Sequence, residues 1–133
     1  MAENSRWTLL FFLWMGTLTI LSLLPSDQLE VKTPPIPHLD KWVHFVFYTI
    51  GMTLGALFLR ARCHQKKKMN FALPAMAVAL VSYGMVIEVL QGISDTDRSA
   101  EWGDVWANIL GIVFGAGISL LLFRKVRAFN WGD

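Results

Sequence analysis

Four long apolar runs divide the chain, and each is bounded by polar or charged residues. They cover about 7–24, 42–59, 71–91 and 104–123. The first carries no charge and would form a helix of about 27 Å, close to the roughly 30 Å of a bilayer's hydrocarbon core. It is longer than a usual signal-peptide core, and no small-x-small cleavage site follows Leu24, so we expect it to remain in the protein. The pattern predicts an all-α fold, a bundle of four transmembrane helices.

The lysines and arginines lie mainly on one side of the predicted helices. Nine of the twelve occur before the first helix, between the second and third, and after the fourth. The two segments on the other side hold Lys32, Lys41 and Arg98. Because short cytoplasmic segments are enriched in Lys and Arg, both termini are predicted to be cytoplasmic.

Composition supports a membrane protein, and length and cysteine count limit the number of domains and of disulfides. Hydrophobic residues make up 54% of the chain and charged residues 17%, below the roughly 25% of soluble domains. The length fits one domain over residues 1–133, and a single cysteine, Cys63, cannot form an intramolecular disulfide. The basic residues are concentrated on one side of the predicted membrane helices, where they direct topology. We therefore do not interpret the net charge of +2 as a sign of nucleic acid binding, and we expect no nucleic acid partner.

Several ionisable and amide side chains fall inside or at the edge of the apolar runs. A charged residue costs roughly 2.5–3.5 kcal/mol at the centre of a membrane helix, so Glu88 and Asp104 need a reason to be there. The start of the second helix, the end of the third and the start of the fourth share one membrane face, predicted to be the outer one. We therefore expect one polar layer there, made of Asp40, Lys41, His44, Glu88, Gln91, Arg98, Asp104 and Asn108.

The second and fourth helices share a second pattern below this layer. Each continues its polar face with a Gly-x-x-x-Gly pair, Gly51 with Gly55 and Gly111 with Gly115. Such pairs let another helix backbone approach closely. We infer that the second and fourth helices pack against each other through these four glycines.

Three motifs of the polar layer occur in a fixed order. Asp-Lys-x-x-His opens the second helix (40–44), Glu-x-x-Gln closes the third (88–91), and Asp-x-x-x-Asn-x-x-Gly opens the fourth (104–111), with Arg98 in the loop before it. This order resembles the VanZ-like family of small bacterial membrane proteins over residues 40–123. The loop departs from the family, because residues 94–97 read Ser-Asp-Thr-Asp where the family often has an apolar stretch with Pro or Gly. The matching signature residues are Asp40, Lys41, His44, Glu88, Gln91, Arg98, Asp104, Asn108 and Gly111.

The resemblance implies a cell-envelope role in the bacterial cytoplasmic membrane, and the family's name comes from a link to tolerance of the glycopeptide antibiotic teicoplanin. Lys41 and Arg98, beside apolar walls, would suit the phosphate or carboxylate of an anionic lipid or lipid-linked wall precursor. Glu88, Asp104 and His44 would orient the two cations. We therefore assign ligand binding to Lys41, Arg98, Asp40, Gln91, Asp104 and Asn108.

Three alternatives to a lipid-binding protein remain open. An intramembrane enzyme would use His44 or Glu88 as a general base. A proton-linked lipid transporter would use the same residues to bind or move a proton. In a structural scaffold, Glu88 would pair with Arg98 or Lys41 and His44 would be a hydrogen-bonded packing residue. A homo-oligomer is compatible with each of these functions.

A metal site is a fourth alternative for the polar layer. His44, Glu88 and Asp104 are acceptable ligand types. The sequence contains neither a His-x-x-x-His pair nor a Glu-x-x-His motif, the spacings that put two ligands on one helix face. We therefore expect no metal and no cofactor.

Overall fold

Four helices form the protein in the computed structural model, which describes residues 2–24, 37–63, 66–94 and 101–125. Within these segments they are α1 (Ala2–Leu23), α2 (Leu39–Arg62), α3 (Lys66–Ile93) and α4 (Trp102–Lys125). Each is long and apolar enough to cross a membrane. The prediction of an all-α membrane protein with four spanning helices is confirmed.

The helices extend beyond the apolar runs that predict them, most clearly in α3. This helix begins at Lys66 and has 28 residues, a length of about 42 Å, so its first turns contain polar residues. Pro74, expected in a first turn, therefore lies inside the helix, where its ring nitrogen cannot donate to the Asn70 carbonyl. Hydropathy marks only the part of a helix inside the hydrocarbon, and the helix continues through the head-group region.

Side-chain contacts show that successive helices alternate in direction, and the first of them places the start of α4 beside the start of α2, with Lys41 Nζ 3.7 Å from Asp104 Oδ1. Arg62 at the end of α2 donates from Nη1 to Thr8 Oγ1 near the start of α1, at 2.9 Å. Gln91 near the end of α3 donates from Nε2 to the Ser22 carbonyl near the end of α1, at 2.7 Å. The bundle thus has a polar end, made of residues 37–44, 88–94 and 101–108, and a basic end, made of residues 5–8, 58–63, 67–70 and 122–125.

The closest helix contact in the bundle joins α2 to α4. Gly111 and Gly115 of α4 lie against the backbone carbonyls of Phe45 and Thr49 of α2. A methyl group added at Gly111 would collide with the Phe45 carbonyl oxygen. The Thr49 hydroxyl also lies 3.2 Å from the Gly111 carbonyl oxygen, within hydrogen-bonding distance. Small residues on α4 therefore bring the N-terminal halves of α2 and α4 together.

The glycine pair of α2 faces other neighbours. A Cβ at Gly51 would lie 3.6 Å from the Trp14 indole of α1, and one at Gly55 would lie 3.2 Å from Met76 of α3. The expectation that α2 meets α4 through Gly51 and Gly55 is therefore wrong. Helical spacing groups residues on one face, but it does not say which neighbour that face meets, and α2 contacts all three other helices.

Apolar side chains cover both the interior and the exterior of the bundle. Leu18, Tyr48, Met52 and Ile112 belong to the buried core. Large apolar side chains on the outside are more than half exposed, among them Leu9, Phe12, Leu13, Val78, Val113 and Leu121. In a bilayer these side chains contact lipid, so the exterior requires no further protein to cover it.

Candidate functional site

Lys41 is the centre of a group of carboxylates at the polar end. Its Nζ lies 2.7 Å from Glu101 Oε2, 3.0 Å from Asp40 Oδ2 and 3.7 Å from Asp104 Oδ1. Asp40 and Asp104 lie in the first turns of α2 and α4, where the positive end of the helix dipole also favours a carboxylate. Asp104 is buried whereas Asp40 and Glu101 are exposed, so the group extends from the surface into the bundle.

A second, fully buried group lies deeper and joins three helices. His44 of α2 places Nδ1 3.0 Å from Asn108 Oδ1 of α4. The same nitrogen lies 3.7 Å from Glu88 Oε1 of α3. His44, Glu88 and Asn108 are each at most 9% exposed. The helix order brings them together, because α2 and α4 begin at the end where α3 finishes.

The two groups meet at Asp104. One ligand atom each from His44, Glu88 and Asp104 lies within 4.8 Å of the others, and the three residues are buried. Asp40, Glu101 and Asp104 form a second group with the same closeness, but two of its members are exposed. Among the described residues, these are the places where histidine and carboxylate side chains converge.

A cavity of about 250 Å³ opens beside the buried group, between α3 and α4. Its walls are mostly apolar, from Met85, Val89 and Val105. Glu88 and Glu101 supply its carboxylates, and Trp102 also lines it. The volume is below the roughly 300 Å³ of small-molecule pockets, so it suits part of a ligand, such as a head group, better than a whole lipid.

The described residues of the polar end carry an excess of negative charge. Asp40, Glu101 and Asp104 surround one lysine, Lys41, and Glu88 adds a fourth carboxylate beside His44. Lys41 alone therefore does not make this end attractive to an anion. The other predicted anion contact, Arg98, lies outside the described residues.

Gln91 occupies a different place from the one predicted for it. Its side chain is buried, and its amide donates to the Ser22 carbonyl of α1. This contact ties α3 to α1, whereas Lys41, His44, Glu88, Asp104 and Asn108 all lie among α2, α3 and α4. Within the described part of the chain, Gln91 is thus a helix contact next to the site.

Sequence reasoning did not assign Glu101, Tyr48 or Gly84 to the site. Glu101 makes the shortest contact to Lys41, and its only signal is that it precedes Asp104 by three residues. Tyr48 is 1% exposed, and its hydroxyl accepts or donates no hydrogen bond among the described residues. A Cβ at Gly84 would lie 3.0 Å from both the Tyr48 hydroxyl and Asn108 Nδ2, so glycine there makes room for both side chains. Tyr48 follows His44 by one helical turn, which is a weak signal by itself.

Comparison with known proteins gives one clear result. The sequence model of the VanZ/LLP1 family matches residues 3–124, well over half of the chain. The chain belongs to the VanZ/LLP1 family. The match includes α1, which the motifs of the polar layer do not reach. No curated protein and no solved structure matches the chain.

Proposed function

We propose that this VanZ/LLP1 protein recognises the head group of an anionic lipid or a lipid-linked wall precursor, at a polar end that faces outward from the bacterial cytoplasmic membrane. The observation that carries the proposal is the cavity between α3 and α4, which joins apolar walls to Glu88 and Glu101. A lipid head group beside its acyl chain has the same combination of polar and apolar parts. A role in glycopeptide tolerance would follow from binding such a precursor.

The charge of the polar end narrows the class of ligand. Lys41 is half-buried beside the carboxylates of Asp40 and Glu101, which hold it in place but also offset its charge. A ligand with only a phosphate would be repelled by the remaining carboxylates. We therefore favour an anionic head group that carries hydroxyl donors beside its phosphate, since Lys41 and Arg98 would take the phosphate and the carboxylates would accept from the hydroxyls.

Orientation supports the outward-facing assignment. Within the described residues, the basic end carries Arg60, Arg62, Lys67, Lys68, Arg124 and Lys125. Because basic residues prefer the cytoplasmic side, the polar end is expected on the outside. Lipid-linked wall precursors are used on that side of the membrane.

Native mass spectrometry of the full chain, released from its own membrane, tests the proposal. Wild type should retain a lipid, and Lys41→Ala and Arg98→Ala should each lower the retained fraction about tenfold, the loss of one charge-assisted contact. Arg124→Ala, which removes an exposed cation at the basic end, is the matched control and should retain as much lipid as wild type. No retained lipid in wild type, or equal loss in all three variants, contradicts the proposal.

An intramembrane enzyme is a second candidate, because His44 and Glu88 form an acid–base pair beside the cavity. Their closest atoms are 3.7 Å apart, and Glu88 lines the cavity wall. If the protein is an enzyme, wild type incubated with a bacterial lipid extract should form a new product detected by mass spectrometry. Glu88→Gln should abolish the product while the folded protein still retains lipid. If wild type forms no product, the protein binds lipid without converting it.

A further inference from the structure

Gly103, in the first turn of α4, lies against the side chain of Lys41 from α2. A Cβ added at this glycine would collide with Lys41 Cε, and it would lie 3.3 Å from Cδ and 3.4 Å from Nζ. Beyond the adjacent residues and the backbone of α4, these are the three nearest atoms. We propose that Gly103 is a positioning residue, whose missing side chain lets the stem of Lys41 cross the start of α4 and fixes where the ammonium group meets a ligand.

The turn at the start of α4 explains why the lysine crosses at this position. The Asp104 amide donates to the Glu101 carbonyl at 3.1 Å, which closes a turn that contains Gly103. Glu101 and Asp104 thus flank the glycine along the chain. Lys41 Nζ lies 2.7 Å from the Glu101 carboxylate and 3.7 Å from that of Asp104, so the lysine reaches both carboxylates by passing over Gly103.

The place of the ammonium group affects the cavity between α3 and α4. Glu101 lines this cavity, and its carboxylate makes the shortest contact with Lys41. While the contact holds, the lysine offsets the charge of that carboxylate. If Lys41 is displaced, the cavity wall becomes more negative and repels an anionic head group. The inference rests on the proposed function and deepens it, because it names the residue that keeps the cation beside the ligand.

Gly103 differs from Gly111 of the same helix in what a methyl group would meet. At Gly111 the obstacle is the Phe45 backbone, whereas at Gly103 it is the far end of a flexible side chain. Rotation about the four-carbon stem lets Lys41 move aside, and alanine is a better helix former than glycine. Gly103→Ala should therefore fold and melt close to wild type, with Lys41 displaced.

Amine labelling of the full chain in detergent measures the placement of Lys41. An amine-reactive ester is added at one pH, and reaction at each lysine is quantified by peptide mass spectrometry, with the exposed Lys67 and Lys68 as references. In wild type Lys41 should react more slowly than both, because carboxylates hold its ammonium form. In Gly103→Ala its rate should rise roughly fivefold, the size of one exposed ion pair. Gly117→Ala, whose methyl meets nothing within 4 Å, is the control and should leave the rate unchanged.

Lipid retention by the same folded variants, measured by native mass spectrometry, tests the consequence for binding. Gly103→Ala should lower the retained fraction roughly fivefold, whereas Gly117→Ala should not lower it. In a Lys41→Ala background, Gly103→Ala should cause no further loss, because the atoms that its methyl group would meet are absent. An additional loss in that background would give Gly103 a structural role that is independent of Lys41 and would overturn the proposal.

The two measurements distinguish a failure of this inference from a failure of the proposed function. An unchanged Lys41 rate in folded Gly103→Ala overturns the inference, and so does a wild-type Lys41 that reacts as fast as Lys67, a result that requires no variant. A raised rate with full lipid retention also overturns it, because binding would not depend on where the ammonium group lies. If wild type retains no lipid, the proposed function is contradicted, and a raised rate in Gly103→Ala would still support the placement of Lys41 by this glycine.

Discussion

The polar and basic ends of the bundle hold charges in different ways. At the basic end, Arg124 and Lys125 are exposed, and Arg62 lies over the Phe58 ring at 4.1 Å while it bonds Thr8. At the polar end, charged and amide side chains of three helices contact one another inside the bundle. Exposed cations can direct topology without fixed partners, whereas buried groups must be satisfied by one another or by a ligand. The basic end thus has the charge pattern that directs topology, and the polar end has the buried polar groups on which the proposed ligand binding rests.

The largest expected effect comes from separating the helices that build the polar end. Gly111→Ala places a methyl group against the Phe45 carbonyl oxygen of α2. Because backbone cannot move aside cheaply, the variant should lose about 3 kcal/mol of stability. The measurement is thermal or denaturant unfolding in detergent. Gly117→Ala on the same helix is the control, since nothing lies within 4 Å of its added methyl, and a comparable loss there would contradict the packing account.

The next effect comes from the buried group itself. His44→Ala removes the contact with Asn108 and leaves Glu88 without its imidazole neighbour, so stability should fall by about 2 kcal/mol. Arg124→Ala at the basic end should change the free energy of unfolding by less than about 0.5 kcal/mol. The measurement is the free energy of unfolding of both variants under the same conditions, each compared with wild type. Equal effects would mean that the polar end is no more dependent on its partners than the basic end.

Gln91→Leu sharpens the boundary of the site. The change removes the hydrogen bond to the Ser22 carbonyl, so it should cost about 1 kcal/mol. Lipid retention should be unchanged, because this side chain joins α1 and α3 outside the group around His44. Loss of retained lipid from the folded variant would return Gln91 to the ligand contacts that its sequence position predicts.

The smallest perturbation tests orientation and uses the native Cys63 at the basic end. A membrane-impermeant maleimide should leave it unlabelled in intact cells and label it after the membrane is opened. Trp102→Cys in a Cys63→Ser background places the thiol at the polar end and should react in intact cells. The reverse pattern would invert the predicted topology and remove the outward-facing site.

Hydropathy predicts the number of helices because lipid contact leaves long apolar runs. It places their ends several residues short, as at Lys66, because polar turns remain helical beyond the hydrocarbon. Alternating helix direction likewise predicts that His44, Glu88 and Asp104 share one end. Helix rotation decides which helix Gly51 faces and which carboxylate Lys41 prefers. The spacing of residues along the sequence carries no information on that rotation.

Photo-crosslinking at two matched positions tests the central claim, that the polar end is the ligand site. Trp102 and Phe12 are both exposed aromatic residues, and each lines a cavity, one at the polar end and one near the basic end. A photoreactive amino acid at each position is activated in cells, and the captured lipid is identified by mass spectrometry. Position 102 should capture a particular head-group class that position 12 does not. The same mixture of bulk lipids at both positions would contradict the account.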